Sequence, residues 1–276
     1  MKKNLFLIAF LVLAVSFAKA AKVDTVETYS DAMHKKIKAI VITPADYEQG
    51  KQFPVVYLLH GAGGNYKQFY GLNPGIAIWA DLYHLMIVCA DGGVTGWYFD
   101  SPIDPAFKYE TYVSKELVTY IDKNYKTIKN KTGRAISGLS MGGHGAMYLA
   151  IRHQDVYGAV GSMSGGVDIR PFPNNWDMAK RLGTYAENPD NWEKNTVTNM
   201  LYLIKPNSLA ITFDCGVDDF FYRVNCILHD KMVERNIPHD FTSRPGAHTS
   251  DYWANSVSYH LMFFNTYFKK ANPQMN

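Results

Sequence analysis

The feature that most constrains the fold of this chain is a serine set between glycines, Gly-Leu-Ser-Met-Gly at residues 138–142. A short strand-like run precedes it, and residues 146–151, which follow, suit a helix. The order strand, tight turn, helix places the hydroxyl of Ser140 at the apex of the turn. Gly138 and Gly142 are the small neighbours that let the strand and the helix approach closely. The segment therefore predicts a sheet whose strands are followed by helices.

A turn of this kind is called a nucleophile elbow, because it presents its serine to a histidine and to a substrate carbonyl. The pattern is short, however, and the chain has 21 glycines in 276 residues. A chance match in a turn without chemistry is therefore an open alternative. The rest of the sequence must therefore distinguish a nucleophile elbow from a chance match.

Two apolar runs, residues 54–59 and 85–90, are nearly unbroken. Such runs indicate strands buried on both faces, as in a parallel sheet covered by helices. Other strands are predicted at 23–29 (an edge strand), 35–43, 160–165, 209–215 and 239–244, and helices at about 75–83, 112–125 and 220–234, with a closing helix that ends near 267. The predicted class is α/β, with a mostly parallel central sheet and helices on both faces.

Residues 167–204 interrupt this alternation of strands and helices. The segment is rich in polar residues and contains several prolines together with Trp176 and Trp192. A connection of roughly 38 residues between strands usually has a role of its own. We predict a small, lid-like helical insertion near the mouth of the site, within a single domain that spans 21–276.

The first twenty residues have the features of a secretory signal peptide. Lysines occupy positions 2 and 3, an apolar run covers 5–17, and Ala-Lys-Ala stands at 18–20. The apolar run is short for a membrane span, and an uncleaved N-terminal anchor is the alternative. We expect the chain to be exported, to the periplasm or the medium, without stable insertion in a membrane.

The net charge argues against some partners. The whole chain has 28 basic and 25 acidic residues, a formal charge of +3. The first twenty residues hold three lysines and no acid, so their removal leaves 25 residues of each sign. A neutral chain has no bulk attraction for nucleic acid or anionic membranes, and we predict neither as a partner.

The three cysteines, Cys89, Cys215 and Cys226, form no disulfide framework, because their number is odd and their spacing fits none. Cys89 and Cys215 end apolar runs, which favours buried free thiols. A Cys215–Cys226 bridge stays open, since exported proteins permit disulfides. No cluster of cysteines and histidines has metal-ligand spacing, and we predict no metal and no cofactor.

A glycine-rich loop, His-Gly-Ala-Gly-Gly-Asn at residues 60–65, follows a predicted buried strand. It lacks the Gly-Lys-Ser/Thr of a phosphate loop and matches no dinucleotide fingerprint. In a sheet with a nucleophile elbow, this loop supplies one backbone N–H of an oxyanion hole, and the residue after the serine supplies the other. We assign the donors to Ala62 and Met141, with Gly61 and Gly63 as alternatives for the first. An ordinary βα turn is the alternative without function.

A serine hydroxyl needs a histidine to accept its proton and an acid to orient that histidine. In this kind of sheet they follow the serine in the order acid, histidine. Asp218 and Asp219 follow a predicted strand, and we prefer Asp219 as the acid, leaving the other to begin the next helix. His248 lies in a Gly/Pro loop after the last strand and is the predicted base. His60 and His144 are each tied to a glycine turn, so we assign them packing roles.

The candidate substrate contacts are Gly61, Trp97, Tyr98 and Trp253. Trp97 and Tyr98 lie in a loop after the strand 85–90, and such loops lie at the functional edge of a parallel sheet. These two rings could line an acyl or sugar pocket or could equally cover the core.

In chain order, these segments resemble the esterase D-type α/β-hydrolases, which include feruloyl and acetyl-xylan esterases, S-formylglutathione hydrolases, tributyrin esterases and mycolyltransferases. The matching segments are residues 57–61, 91–93 with 97–98, 138–143, 215–219, and 246–248 with Trp253. The resemblance covers nearly the whole mature chain. It implies an α/β-hydrolase fold in which Ser140 is the nucleophile, Asp219 the acid and His248 the base.

The residues and the resemblance together favour an exported serine esterase with a Ser-His-Asp acyl-enzyme mechanism. Export and the resemblance favour acyl esters of carbohydrates, of the acetyl or feruloyl type, as small-molecule or polysaccharide substrates. The alternatives among enzymes are an acyltransferase that uses a sugar or lipid alcohol, and a short-chain acyl or thioester hydrolase. A carbohydrate-binding or scaffold protein with an inactive triad is the alternative from another class, and five motifs in order argue against it.

Overall fold

The computed structural model describes residues 20–47 and 51–275. Except for its last residue, the predicted signal peptide therefore lies outside the described part of the chain. Within that part, no helix is both long enough and apolar enough to cross a membrane.

An eight-stranded sheet forms the centre of the described chain, in the order β1-β2-β4-β3-β5-β6-β7-β8. The strands are β1 Lys22–Ser30, β2 Lys35–Thr43, β3 Val55–Leu59, β4 Met86–Ala90, β5 Arg134–Gly138, β6 Ala159–Met163, β7 Ala210–Gly216 and β8 Asp240–Arg244. The pairs β1–β2 and β2–β4 are antiparallel, and every pair from β4 to β8 is parallel. This confirms the predicted mostly parallel sheet, with β1 at its edge.

Helices flank the sheet. They are α1 Gln68–Leu72, α2 Ile76–Tyr83, α3 Tyr109–Thr111, α4 Val118–Asn124, α5 Met141–Arg152, α6 Ala179–Leu182, α7 Pro189–Lys194, α8 Tyr222–Glu234 and α9 Ser250–Ala271. A π-helical stretch, Tyr112–Leu117, joins α3 to α4. The helix predicted at 112–125 therefore begins earlier and includes a local irregularity that apolar periodicity does not reveal.

Two hydrophobic cores lie on opposite faces of the sheet. In β3, Val55, Tyr57 and Leu59 enter one core, while Val56 and Leu58 enter the other, because successive side chains of a strand point to opposite faces. Side chains of α5 and α8 belong to the first core, and those of α1, α2 and α9 to the second. The unbroken apolar runs of the sequence are thus explained by burial on both faces.

The insertion between β6 and β7 is built from short helices, α6 and α7, followed by the 3₁₀ turns Val197–Asn199 and Leu201–Leu203. Leu182 and Trp192 are fully buried, and Trp192 Nε1 donates to the Gly183 carbonyl at 2.9 Å. The segment is small and helical, as predicted. Leu182 and Trp192 belong to the first core, together with side chains of the sheet and of α5, so the insertion packs against the rest of the fold.

Candidate active site

The candidate residues follow the carboxyl ends of parallel strands. Ala62 comes after β3, Ser140 after β5, Asp219 after β7 and His248 after β8. Because these ends share one edge of a parallel sheet, loops far apart in the sequence converge there.

The turn at Ser140 has a strained backbone, with φ 55° and ψ −118°. Its N–H donates to the Met163 carbonyl of β6 at 2.9 Å, which holds the turn against the neighbouring strand. A Cβ on Gly142 would lie 2.0 Å from the Leu59 carbonyl oxygen, and one on Gly138 would lie 2.3 Å from the Gly142 oxygen. Both contacts are too short for any side chain, which confirms the close approach predicted from the two glycines.

A chain of two hydrogen bonds joins the serine, the histidine and the aspartate. His248 Nε2 lies 2.9 Å from Ser140 Oγ, and His248 Nδ1 lies 2.8 Å from Asp219 Oδ2. The Asp219 side chain is fully buried, and its Oδ1 accepts the N–H of Phe221 at 2.8 Å. Since a carboxylate can only accept, Nδ1 carries the proton and Nε2 accepts from the serine hydroxyl. In this tautomer the histidine is ready to take the serine proton.

The structure distinguishes the two neighbouring aspartates. Asp218 is exposed, and its backbone N–H donates to the Gly246 carbonyl at 2.9 Å. It is Asp219 that contacts His248, in line with the preference derived from the sequence.

The backbone N–H groups of Ala62 and Met141 lie beside the serine, and neither has a hydrogen-bond acceptor within residues 20–47 and 51–275. The neighbouring donors of the first loop are occupied. The Gly61 N–H donates to Gln68 Oε1 at 2.7 Å, and the Gly63 N–H donates to the Val94 carbonyl at 2.8 Å. Unoccupied donors beside a nucleophile are what an oxyanion hole requires, so the hydrogen bonds favour Ala62 over its two neighbours.

Buried side chains support the loop that contains Ala62. His60 accepts the Gly92 N–H at Nε2, 2.9 Å away, and donates from Nδ1 to the Gly61 carbonyl at 2.8 Å. The Tyr98 hydroxyl donates to the His60 carbonyl at 3.1 Å. His60 thus has the packing role assigned from the sequence. Gln68 has a similar role, which no sequence pattern indicated.

Trp97 and Tyr98, the rings that could line a pocket or cover the core, are both buried. They are 1% and 0% exposed. Trp97 Nε1 donates to the Trp176 carbonyl at 3.4 Å, and Tyr98 packs against the loop of residues 60–65, where its hydroxyl contacts the His60 carbonyl. Of the two alternatives left open by the sequence, this burial favours rings that cover the core over rings that line an open pocket.

His144 connects the helix of the elbow to the insertion. It is fully buried, and its Nε2 donates to the Asn195 carbonyl at 2.9 Å. Its ring packs against Trp97, Phe99 and Tyr148. Burial lowers the pKa of His144 to about 4, so the ring is neutral and structural, as the sequence indicated.

An aromatic rim borders His248. Trp253 packs edge-on against the imidazole with 4.7 Å between ring centroids, and is 9% exposed. The ring centroid of Phe220 lies 4.2 Å from that of the imidazole, and Phe220 is 51% exposed. Trp176 of the insertion stacks on Phe220 at 5.9 Å. We did not predict Phe220 from the sequence, although its place directly after Asp219 is a signal.

No group of three or more potential metal ligands comes together in the part of the chain that the structure describes. The thiols of Cys89, Cys215 and Cys226 are all free, so the Cys215–Cys226 bridge left open above is not formed. Burial raises the pKa of Cys89 to about 12, which makes it an inert thiol.

The sheet, the strained elbow and the Ser-His-Asp geometry define an α/β-hydrolase. The Esterase family model matches residues 30–264, and the chain belongs to this family.

Individual relatives show how far the similarity extends. An esterase of Mycobacterium tuberculosis is 35% identical over 136 residues, 47% of this chain but only 29% of the relative. The S-formylglutathione hydrolase of Bos taurus is 24% identical over 83% of this chain and 90% of the relative. A solved ferulic acid esterase superposes with a TM-score of 0.79 and 29% identity, covering 91% of this chain and 99% of the other.

Proposed function

We propose that this chain is a serine esterase that hydrolyses carboxylic esters through an acyl-enzyme. The observation that carries the proposal is the hydrogen-bonded chain from Ser140 through His248 to Asp219, with contacts of 2.9 and 2.8 Å. Membership of the Esterase family supports it.

The proposed reaction begins when Ser140 Oγ attacks the ester carbonyl and His248 Nε2 takes the serine proton. The N–H groups of Ala62 and Met141 bind the oxyanion of the tetrahedral intermediate. As the intermediate collapses, His248 returns the proton to the leaving alcohol, and the acyl group stays on the serine. Water, deprotonated by His248, then releases the acid. Asp219 holds the imidazole and stabilises its protonated form throughout.

For the substrate we propose acyl esters of carbohydrates, of the acetyl or feruloyl type. The exposed ring of Phe220, stacked on Trp176 beside His248, offers a flat apolar surface to an aromatic acyl group or a sugar ring. The similarity to a ferulic acid esterase points the same way. The signal-peptide features of residues 1–20 support a reaction outside the cytoplasm.

The test is a panel of acetyl, butyryl and feruloyl sugar esters and S-formylglutathione, given to purified protein that begins at Ala21. We expect the sugar esters to give the highest kcat/KM. Phe220→Ala is expected to lower kcat/KM for feruloyl esters at least tenfold more than for acetyl esters, with Tyr202→Ala, an exposed ring elsewhere, as the control.

Several outcomes would contradict the proposal. A preference for S-formylglutathione would favour a thioester hydrolase. Acylated products that appear only when a sugar or lipid alcohol is added would favour an acyltransferase. Failure of a fluorophosphonate to label Ser140 would favour an inactive triad.

A further inference from the structure

A buried ion pair joins the last two strands of the sheet, close in sequence to the acid and the base. Arg244 Nη2 contacts both Asp214 Oδ2 and the Ser256 hydroxyl. The Asp214 side chain is 3% exposed and that of Arg244 is 20% exposed. Asp214 lies in β7, whose end leads to Asp219, and Arg244 ends β8, which leads to the loop of His248. The pair therefore joins the two strands that carry the acid and the base.

The guanidinium of Arg244 anchors both ends of the base loop, residues 245–249. At one end, Arg244 is itself the last residue of β8. At the other, its guanidinium lies over the rings of Tyr252 and Tyr259 in α9, 5.4 and 4.6 Å from their centroids, and it contacts Ser256 of the same helix. One side chain thus limits how far the short loop can move relative to the strand and the helix.

The acid loop, residues 216–219, is bonded directly to the base loop. The Val217 N–H donates to the Arg244 carbonyl and the Asp218 N–H to the Gly246 carbonyl, each at 2.9 Å. A Cβ on Gly216 would lie 2.2 Å from the Gly246 oxygen, so the two backbones are in close contact. A shift of β8 against β7 would therefore change the distance between acid and base.

We propose that the Asp214–Arg244 pair is a positioning device, which sets Asp219 at hydrogen-bond distance from His248. The inference rests on the proposed function. A buried ion pair adds little net stability, because desolvation offsets its attraction, but it fixes the relative position of the groups it joins. The other oxygen of Asp214, Oδ1, lies 3.6 Å from His260 Nε2, so the pair also has a neighbour on α9. Neither Asp214 nor Arg244 takes part in the chemistry; both act through the acid and the base.

The first test is Arg244→Met, measured with a feruloyl or acetyl ester. We expect kcat to fall about 100-fold with KM changed less than about threefold, since a displacement of about 1 Å in a catalytic group has an effect of that size. Arg244→Lys keeps a charge near Asp214 and should recover part of kcat. Arg235→Met, at an exposed arginine, is the control and should leave kcat unchanged.

Arg244→Met leaves a buried carboxylate unpaired, which can prevent folding. Asp214→Asn combined with Arg244→Met removes both charges and avoids that problem. Circular dichroism establishes that each variant is folded. A folded double variant with the kcat of the unmodified enzyme would overturn the proposal.

A double-mutant cycle with Asp219→Ala separates positioning from a general structural role. If the pair acts through the acid–base contact, Arg244→Met should lower kcat less than about fivefold in the Asp219→Ala background. Equal losses in both backgrounds would overturn the inference. The proposed function fails separately, if Ser140→Ala keeps its ester hydrolysis.

Discussion

Ser140 illustrates how single residues determine this site. Its positive φ costs on the order of 1–3 kcal/mol for a residue with a Cβ, and the turn is held by contacts with β3 and β6. The neighbouring glycines allow backbone atoms to approach where no side chain fits. The strain therefore persists because contacts with the neighbouring strands hold the turn in this conformation.

Replacing Gly142 with alanine tests this close approach. We expect the free energy of unfolding to fall by about 3 kcal/mol or more, since the new Cβ would meet the Leu59 backbone. Gly71→Ala is the control, because a Cβ there meets nothing within 4 Å, and its effect should stay within about 1 kcal/mol. Chemical denaturation measures both. Equal stability of the two variants would contradict the packing described here.

At the residue scale, the chain order of the serine, the acid and the histidine was enough to predict which side chains come together, whereas the burial of individual rings was not predictable. The order of serine, acid and histidine identifies Ser140, Asp219 and His248 as the residues to examine, and the structure brings them together. Trp97 and Tyr98 follow a strand end just as a substrate contact would. Their burial depends on contacts with Trp176 of the insertion and with the loop of residues 60–65, which no local pattern reveals.

Among the elements, the helix of the elbow, α5, is tied to its neighbours by titratable groups. Glu110 of α3 accepts hydrogen bonds from Tyr148, Arg152 and His153 at the other end of α5. Burial by itself would raise the pKa of Glu110, but the hydrogen bonds from His153, Tyr148 and Arg152 outweigh it and lower the pKa to about 2.

The folded-state pKa of Glu110 lies below its unfolded value of 4.5. The ionised carboxylate therefore contributes to the free energy of unfolding above pH 4.5, and this contribution is lost as the pH falls towards 2. Glu110→Gln should therefore lower the free energy of unfolding by about 2 kcal/mol at pH 7 and by much less near pH 2–3. Glu234→Gln, at an exposed position, is the matched control. If the loss of unfolding free energy in Glu110→Gln were the same at every pH, the ionised carboxylate of Glu110 would not be its source.

His144 makes the docking of the insertion sensitive to acid. Burial lowers its pKa from the ordinary value of 6.5 to about 4 in the folded chain, so stability is lost as the pH falls from 6.5 to 4, by on the order of 3 kcal/mol. His144→Gln keeps a donor for the Asn195 carbonyl but does not titrate. We expect it to lose less stability than the unmodified chain between pH 7 and pH 4. His34→Asn, at an exposed position, should behave like the unmodified chain.

The elements themselves were largely predictable. Strands buried on both faces have unbroken apolar runs, and β3 and β4 lie within a residue of their predicted bounds. The π-helical stretch before α4 and the exact bounds of the short helices in the insertion were not predictable, because neither follows a regular apolar period. The order of the strands in the sheet was not predictable either, because it depends on which distant segments pair, and a single sequence does not show this.

For the molecule as a whole, two cores lie on opposite faces of the sheet, and loops at one edge bring Ser140, Asp219 and His248 together. The formal charge belongs to the first twenty residues, since the remainder carries equal numbers of acids and bases. If those residues are an export signal, the exported protein should begin at Ala21. Intact-mass measurement of the protein from the periplasm or medium checks this, and a full-length mass in the membrane fraction would contradict it.

The central claim is that Ser140 is the nucleophile of a serine esterase, and the kcat of Ser140→Ala for its best ester substrate tests it most directly. If serine, histidine and aspartate act as one unit, kcat should fall by roughly a millionfold, while circular dichroism and the melting temperature stay close to those of the unmodified protein. A folded Ser140→Ala variant that keeps most of its ester hydrolysis would contradict the account.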